Sequence, residues 1–296
     1  MQNLTSKMQE TAKHLLQSGE VTAVIGWEKG TFWYQSTPVM ITDANDVEKL
    51  VWDEFCQPNL SKYLLDYKYN DGKIAIFVKG CDSRAFNRLL QDNQIKREKA
   101  YLIGLPCEGM KDHKKAAFTD ESAQSEVPLA KVCGSCRYPN AVVFDEFLGE
   151  RTTPKATEND FSDVLALEEM TNDERYQFWQ KEHTKCIRCY ACRNACPACN
   201  CRNCIFTDSK SGWISKDVNA SENQFYAITR ATHVAGRCVE CGQCEMVCPS
   251  DIPIMLMNKK YMKDINELFG AYDAGIDLEA PAPLGSYKLD DPEEFM

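Results

Sequence analysis

The run Cys186-Ile-Arg-Cys189-Tyr-Ala-Cys192-Arg-Asn-Ala-Cys196-Pro197 returns with the same spacing as Cys238-Val-Glu-Cys241-Gly-Gln-Cys244-Glu-Met-Val-Cys248-Pro249. No other feature of the 296 residues restricts the fold so tightly. Three thiols spaced by two residues lie on one tight turn and can reach three irons of one cubane. The fourth sits on the following helical turn, ahead of a Pro, and points across to a second cubane. This is the C-x2-C-x2-C-x3-C-P arrangement of bacterial two-cluster iron–sulfur proteins. Zinc also takes C-x2-C pairs, but it asks for two pairs per ion, not two runs of four followed by Pro. The spacing therefore assigns Cys186, Cys189, Cys192 and Cys248 to one 4Fe-4S cluster, and Cys238, Cys241, Cys244 and Cys196 to another.

The insert between the runs, Ala198–Arg237, opens with Cys199-Asn-Cys201-Arg-Asn-Cys204. Three thiols beside a cluster can serve a further cluster or a zinc ion, or simply pack. A fourth ligand is not evident, and Cys56 is the one unassigned thiol. Eleven of the sixteen cysteines fall between Cys186 and Cys248. The chain is long, and Met1–Glu20 carries no export pattern, so this cysteine usage points to metal or redox chemistry rather than disulfides.

The amino-terminal part reads as α/β. Met1–Gln17 has helical periodicity, and Val21–Trp27, Lys73–Val78 and Ala100–Leu105 are apolar strand candidates. Asp46–Phe55 reads as a helix. Arg84–Asp92 reads as another, capped by Asp82 or Ser83. Continuous apolar strands separated by helices argue for a mostly parallel sheet. Cys81 follows one such strand and Cys107 the next, so parallel strands would bring both thiols to one carboxyl edge, where α/β proteins bind ligands. Cys133-Gly-Ser-Cys136 lies shortly downstream. These four thiols together suit a third 4Fe-4S cluster. Each alone could be a packing thiol, and Cys133 with Cys136 a zinc half-site or dithiol.

Lys79, Arg84, Arg188 and Arg193 adjoin these thiols, and cations beside an anionic cluster raise its potential. They are the candidate cofactor-contacting residues. His183 and His233 precede the two runs and read as core or surface histidines. Phe225, Tyr226 and Trp213 read as packing. No dinucleotide fingerprint, phosphate loop or catalytic triad is present.

The expected organisation is an α/β domain over residues 1–150 and a linker and helix over 151–184, with Phe161–Lys181 helical. A C-terminal α+β bacterial-ferredoxin-like di-cluster domain follows over 185–265, then an extended acidic tail over 266–296. A net charge of −10 without a basic run speaks against nucleic acid. The apolar runs fall short of the ~20 residues of a membrane span. A cytoplasmic chain is expected, one that can sit against a membrane-bound partner.

Lys79-Gly-Cys-Asp-Ser-Arg84, Gly104-Leu-Pro-Cys107, Cys133-Gly-Ser-Cys136 and the doubled motif together resemble one family. It comprises the beta subunits of deazaflavin-coenzyme (F420)-type hydrogenases and formate dehydrogenases, with a bacterial branch associated with heterodisulfide-reductase-like proteins. The likeness runs from about Val21 to Ile252. CIRCYACRNACP followed by C-x-C-x2-C is specific to the bacterial branch, whereas the ferredoxin motif itself is widespread. The resemblance implies an electron-relay subunit of an anaerobic redox complex. Its partners would be hydrogenase, formate dehydrogenase or heterodisulfide-reductase-like subunits. It also implies cluster ligation by Cys81, Cys107, Cys133 and Cys136. Archaeal members bind FAD and act on the deazaflavin coenzyme, so the alternative is an FAD-containing oxidoreductase subunit acting on a deazaflavin or nicotinamide coenzyme. This chain departs from them in carrying its ferredoxin motifs at the C-terminal side.

Overall fold

Ile74–Val78 (β3) is buried at every position, as a strand flanked on both sides must be. In this computed structural model it pairs in parallel with Ala23–Lys29 (β1) on one side and Ala100–Gly104 (β4) on the other. Ser36–Ile41 (β2) adds antiparallel to β1, and the short Glu146–Phe147 (β5) parallel to β4. The sheet order is β2-β1-β3-β4-β5. The expected mostly parallel sheet is present, with one antiparallel edge strand that the sequence reading omitted. The structure describes residues 2–208, 210–215 and 217–285, together with 287, 289 and 291.

The chain divides into two compact units, Met1–Asn159 and Asp160–Met296. In the first, the helix Gln2–Ser18 (α1) buries Met8, Ala12 and Leu15 on one face, as its periodicity requires. Between Asp46 and Phe55 the expected helix is reduced to a 3-10 turn, Val47–Lys49. Leu50 bridges Glu28, and Val51 N–H donates to the Trp27 carbonyl at 2.8 Å, so pairing with β1 outweighs local helix preference.

The helix Gly80–Gln91 (α2) starts one turn earlier than expected. Asp82 thus acts from inside the helix, accepting the backbone N–H of Lys79 at 2.9 Å and of Leu60 at 2.7 Å. Gly80 is required where it stands. A Cβ there would lie 1.7 Å from the Tyr138 carbonyl oxygen. Ser83 Oγ accepts Val142 N–H at 2.9 Å, tying the same loop to α2. Gly80→Ala therefore has to displace backbone. We expect a loss of more than about 4 kcal/mol, in the range reserved for core disruption. Urea unfolding of the variant checks this, and a loss under about 1 kcal/mol would contradict the close approach.

Two four-residue turns, His113–Ala116 (α3) and Lys131–Gly134 (α4), complete the first unit's α-helices among the described residues, alongside short 3-10 turns. The second unit begins with Ser162–Glu168 (α5) and Asn172–Thr184 (α6). The single helix expected over Phe161–Lys181 is therefore two. The break is a capping box, in which Thr171 Oγ1 accepts Glu174 N–H at 3.3 Å and Glu174 accepts Thr171 N–H at 2.8 Å. Ala191–Asn194 (α7), Ala220–His233 (α8), Gln243–Met246 (α9) and Ile254–Phe269 (α10) follow.

Among the described residues of this unit every regular element is helical. The expected α+β character is thus corrected: α8, inside the insert, and α10 are the long elements that pack this unit. Ion pairs from Glu168 to Lys260 and Lys263 join α5 to α10. The tail also starts later than expected, since α10 runs to Phe269 and Ala274 is buried. Of the acidic stretch 290–294, only Asp291 lies among the described residues.

Candidate metal centres

The two cysteine runs fold alike. Arg188 and Tyr190, on either side of Cys189, have φ of 48° and 60°, and Glu240 and Gly242, on either side of Cys241, have 57° and 68°. Three of these four are not glycine, a strain of roughly 1–3 kcal/mol each that persists only where the surroundings enforce it. The reward is a concave turn whose N–H groups face inward, a geometry that holds anions. Arg188 N–H donates to Cys186 Sγ at 3.4 Å. Backbone N–H groups of Glu240 and Gln243 likewise act on Cys238 and Cys241.

Cys186, Cys189 and Cys192 line one cavity together with Cys248, which comes from the other run. Cys196 in turn acts electrostatically on Cys238, Cys241 and Cys244. The fold brings each triplet together with the fourth cysteine of the opposite run. Pro249, Ile252, Ile254 and Met257 give the first cavity an apolar wall.

Burial pushes the thiols of Cys186 and Cys192 up, and that of Cys238 up to about 12. Cys196 goes the other way, drawn down chiefly by a hydrogen bond with Cys199. Buried neutral thiols must release protons when they bind metal.

Helix α8 faces this cavity with Asn223, Tyr226, Ala227 and Arg230, which are spaced i, i+3, i+4, i+7 and form one helical stripe. Tyr226 packs against Tyr190 and Phe206, and its hydroxyl lies 3.2 Å from Cys192 Sγ. Asn223 Nδ2 donates to the carbonyls of His183 and Cys186 at 3.0 and 2.8 Å. From α10, Asn258 Nδ2 faces Cys238 Sγ at 3.9 Å and Cys244 Sγ at 3.8 Å. Sequence reasoning missed Asn223, Arg230 and Asn258, and took Tyr226 as packing alone. The cue was available in Asn219-x-x-Glu222, a helix start in which Asn219 accepts Glu222 N–H at 3.0 Å, followed by that stripe.

Arg188 is buried, with Nη1 3.6 Å from Glu222. Arg193 reaches Thr207 and Asn194 and covers the Tyr190 ring. His183 is buried, stacked on Trp179, and lines the same cavity, while His233 is exposed.

In the first unit, Cys81 lies in the first turn of α2 and Cys107 just beyond β4, at the carboxyl ends of adjacent parallel strands. Cys133 approaches over Gly109, where a Cβ would meet its Cβ at 3.2 Å. Cys136 follows α4, and its carbonyl accepts Lys155 N–H at 3.0 Å. Burial raises Cys107 to about 12, and the charges of Cys133 and Cys136 add to this.

The fully buried Lys79 acts electrostatically on Cys81, Cys107 and Cys133. Its ammonium rests 4.0 Å over Trp27 and 3.0 Å from Asp82. Arg84 lies over the Tyr138 ring at 4.4 Å. Cys56 is fully buried in the first unit's core, with its Sγ 3.6 Å from the Val51 carbonyl. Cys201 is exposed. Among the described residues, no three His, Cys, Asp or Glu side chains converge on a single metal ion, and Cys199, Cys201 and Cys204 form no such group.

The doubled turns, inward N–H groups and crossed fourth cysteines fit cubane clusters. Residues 182–252 match the 4Fe-4S dicluster domain. Along nearly the whole chain there are also similar proteins. One is the F420-dependent formate dehydrogenase subunit beta of Methanocaldococcus jannaschii, 23% identical over 91% of each chain. Another is F420-dependent formate dehydrogenase 1 subunit beta of Methanococcus maripaludis, 26% identical over 92% of this chain and 91% of that one.

The chain is similar to these beta subunits.

The resemblance seen in the motifs therefore holds over nine-tenths of the length. The solved F420-reducing NiFe hydrogenase complex of Methanosarcina barkeri overlaps 39% of this chain and 44% of its own matched chain, at 22% identity and a TM-score of 0.31. Residues 182–252 thus carry the pattern of a 4Fe-4S dicluster domain, within a chain similar along nearly its whole length to formate dehydrogenase beta subunits. No helix among the described residues is long and apolar enough to cross a membrane.

Proposed function

We propose that the chain relays electrons between a dehydrogenase- or hydrogenase-type subunit and a low-potential or heterodisulfide-reductase-like subunit. It does so through two 4Fe-4S clusters in the second unit and a third at the carboxyl edge of the sheet. The observation that carries this reading is the convergence of Cys248 with Cys186, Cys189 and Cys192 on one cavity, matched by that of Cys196 with the second triplet. When bound, each cubane supplies a site for one-electron exchange at a potential set by its surroundings.

The chain's own residues do the rest. The thiolates hold the irons. The N–H groups of the left-handed turns and the Tyr226 hydroxyl donate toward thiolate sulfur, which favours the reduced, more negative state. The apolar wall of Ile252, Ile254 and Met257 limits water. In the first unit Cys81, Cys107, Cys133 and Cys136 would hold the third cluster, with Lys79 as its buried cation and Arg84 beside it. Cys199, Cys201 and Cys204 do not converge on one ion, so a further cluster or zinc there would need the insert to rearrange around it. We place the protein in the cytoplasm.

Iron, sulfide, zinc and flavin per chain, measured on protein prepared without oxygen, test the proposal. About twelve irons are expected for three cubanes. Cys81→Ala is expected to lower the count by about four. Unchanged iron in that variant would remove the third cluster from the reading.

A second reading has one observation in its favour. A cleft of about 290 Å³ lies beside the Cys107 loop, lined by Trp52, Pro106, Glu108, Gly109, Met110 and Glu150 among others. That is near the lower end of the roughly 300–1,000 Å³ of small-molecule sites. In this reading it is part of an FAD site, and the subunit acts on a deazaflavin or nicotinamide coenzyme. Eight irons with stoichiometric flavin would favour it.

A further inference from the structure

Arg230 is a buried cation that acts on thiols of both cysteine sets. It lies on the inner face of α8, 4% exposed, among the residues that line the Cys186–Cys248 cavity. Its Nη2 donates to the Cys192 carbonyl at 3.3 Å. Its Nε and Nη1 are buried with no hydrogen-bond partner among the described residues, and no carboxylate there pairs with it. Burying a cation without an anion costs several kcal/mol. A guanidinium cannot escape that cost by losing its proton. The groups that act on it are sulfur: Cys244 and Cys196 of the second set, Cys199 of the insert and Cys192 of the first set, which would supply the missing negative charge as cluster-bound thiolates.

We propose that Arg230 is a positioning charge shared by both clusters of the second unit, its free N–H groups turned toward their sulfur, so that it raises both reduction potentials together. The proposal rests on the two-cluster reading above. Its physical basis is that each cluster gains negative charge on reduction. A fixed cation between two such sites favours both reductions and offsets part of the repulsion between them. Burial keeps this interaction from being screened as a surface charge would be.

The test is a potentiometric titration of the intact chain, followed by electron paramagnetic resonance, for wild type, Arg230→Gln and Arg230→Lys. In Arg230→Gln both potentials are expected to fall by at least the equivalent of tenfold in each reduction equilibrium, 59 mV for one electron. In Arg230→Lys, which keeps the charge, both should stay closer to wild type than that. Potentials unchanged in the Gln variant, or a fall in only one cluster, would overturn the proposal.

Should the Gln variant fail to hold both clusters, the Lys variant decides. Two assembled clusters at near-wild-type potentials support the shared charge. Loss of clusters there too assigns Arg230 a purely structural role. The wild-type iron count separates the two levels of failure. Fewer than two cubanes in the second unit sinks the cluster reading itself, whereas two cubanes with unmoved potentials sink only the role of Arg230.

Discussion

Cys248→Ala is expected to abolish the cluster whose other three ligands lie more than fifty residues earlier, and to leave its own run's cluster in place. Iron should fall by about four per chain. The decisive comparison is between double variants. Cys189→Ala/Cys248→Ala should lose no more iron than either single variant, because both act on one cluster and their effects do not add. Cys189→Ala/Cys241→Ala should lose both clusters. If Cys189→Ala/Cys248→Ala lost twice the iron of each single change, the crossed assignment would be wrong and each run would serve its own cluster. Ligand binding here is also folding free energy, since the site does not exist in the unfolded chain. Each single variant should therefore loosen the packing of α8 and α10, detectable as faster amide exchange.

The second large effect is expected in the first unit. Lys79 and Asp82 form an ion pair at 3.0 Å with side chains 2% and 0% exposed. Lys79 Nζ also donates to the Cys56 and Pro58 carbonyls at 2.8 and 3.2 Å. Asp82→Ala strands that ammonium and leaves the buried N–H groups of Lys79 and Leu60 without their acceptor. Breaking such a pair from one side costs about 3–5 kcal/mol. Amide exchange from β3 and β4 should speed up by roughly two to three orders of magnitude. A change below tenfold would mean that water or a nearby carbonyl replaces the carboxylate.

Asp82 also shows where local reading stops. A helix cap at that position was legible, because Asp before a periodic stretch is a common start signal. That the same carboxylate bonds Leu60 and neutralises Lys79 depends on segments about twenty residues apart being packed together. Asp46–Phe55 shows the converse. Its sequence suits a helix, but its backbone is taken up by the edge of β1. Helix preference differs by less than about 1 kcal/mol between ordinary residues, so a few tertiary hydrogen bonds override it. The break between α5 and α6, by contrast, is legible in Thr171-x-x-Glu174, the capping-box spacing.

The sequence by itself determined the thiol chemistry. Twin cysteine runs with fixed spacing admit few metals, and the spacing alone implied a fourth cysteine crossing between runs. Apolar strands without alternation likewise announced a buried parallel sheet, with Cys81 and Cys107 at one edge. Both inferences rest on short-range covalent geometry, which spacing encodes directly. Only the tertiary structure decided what surrounds the sulfur. Tyr226, Arg230 and Asn258 reach the thiols from α8 and α10, helices outside the cysteine motifs. Their burial and aim come from packing between elements, and no spacing within a motif records that.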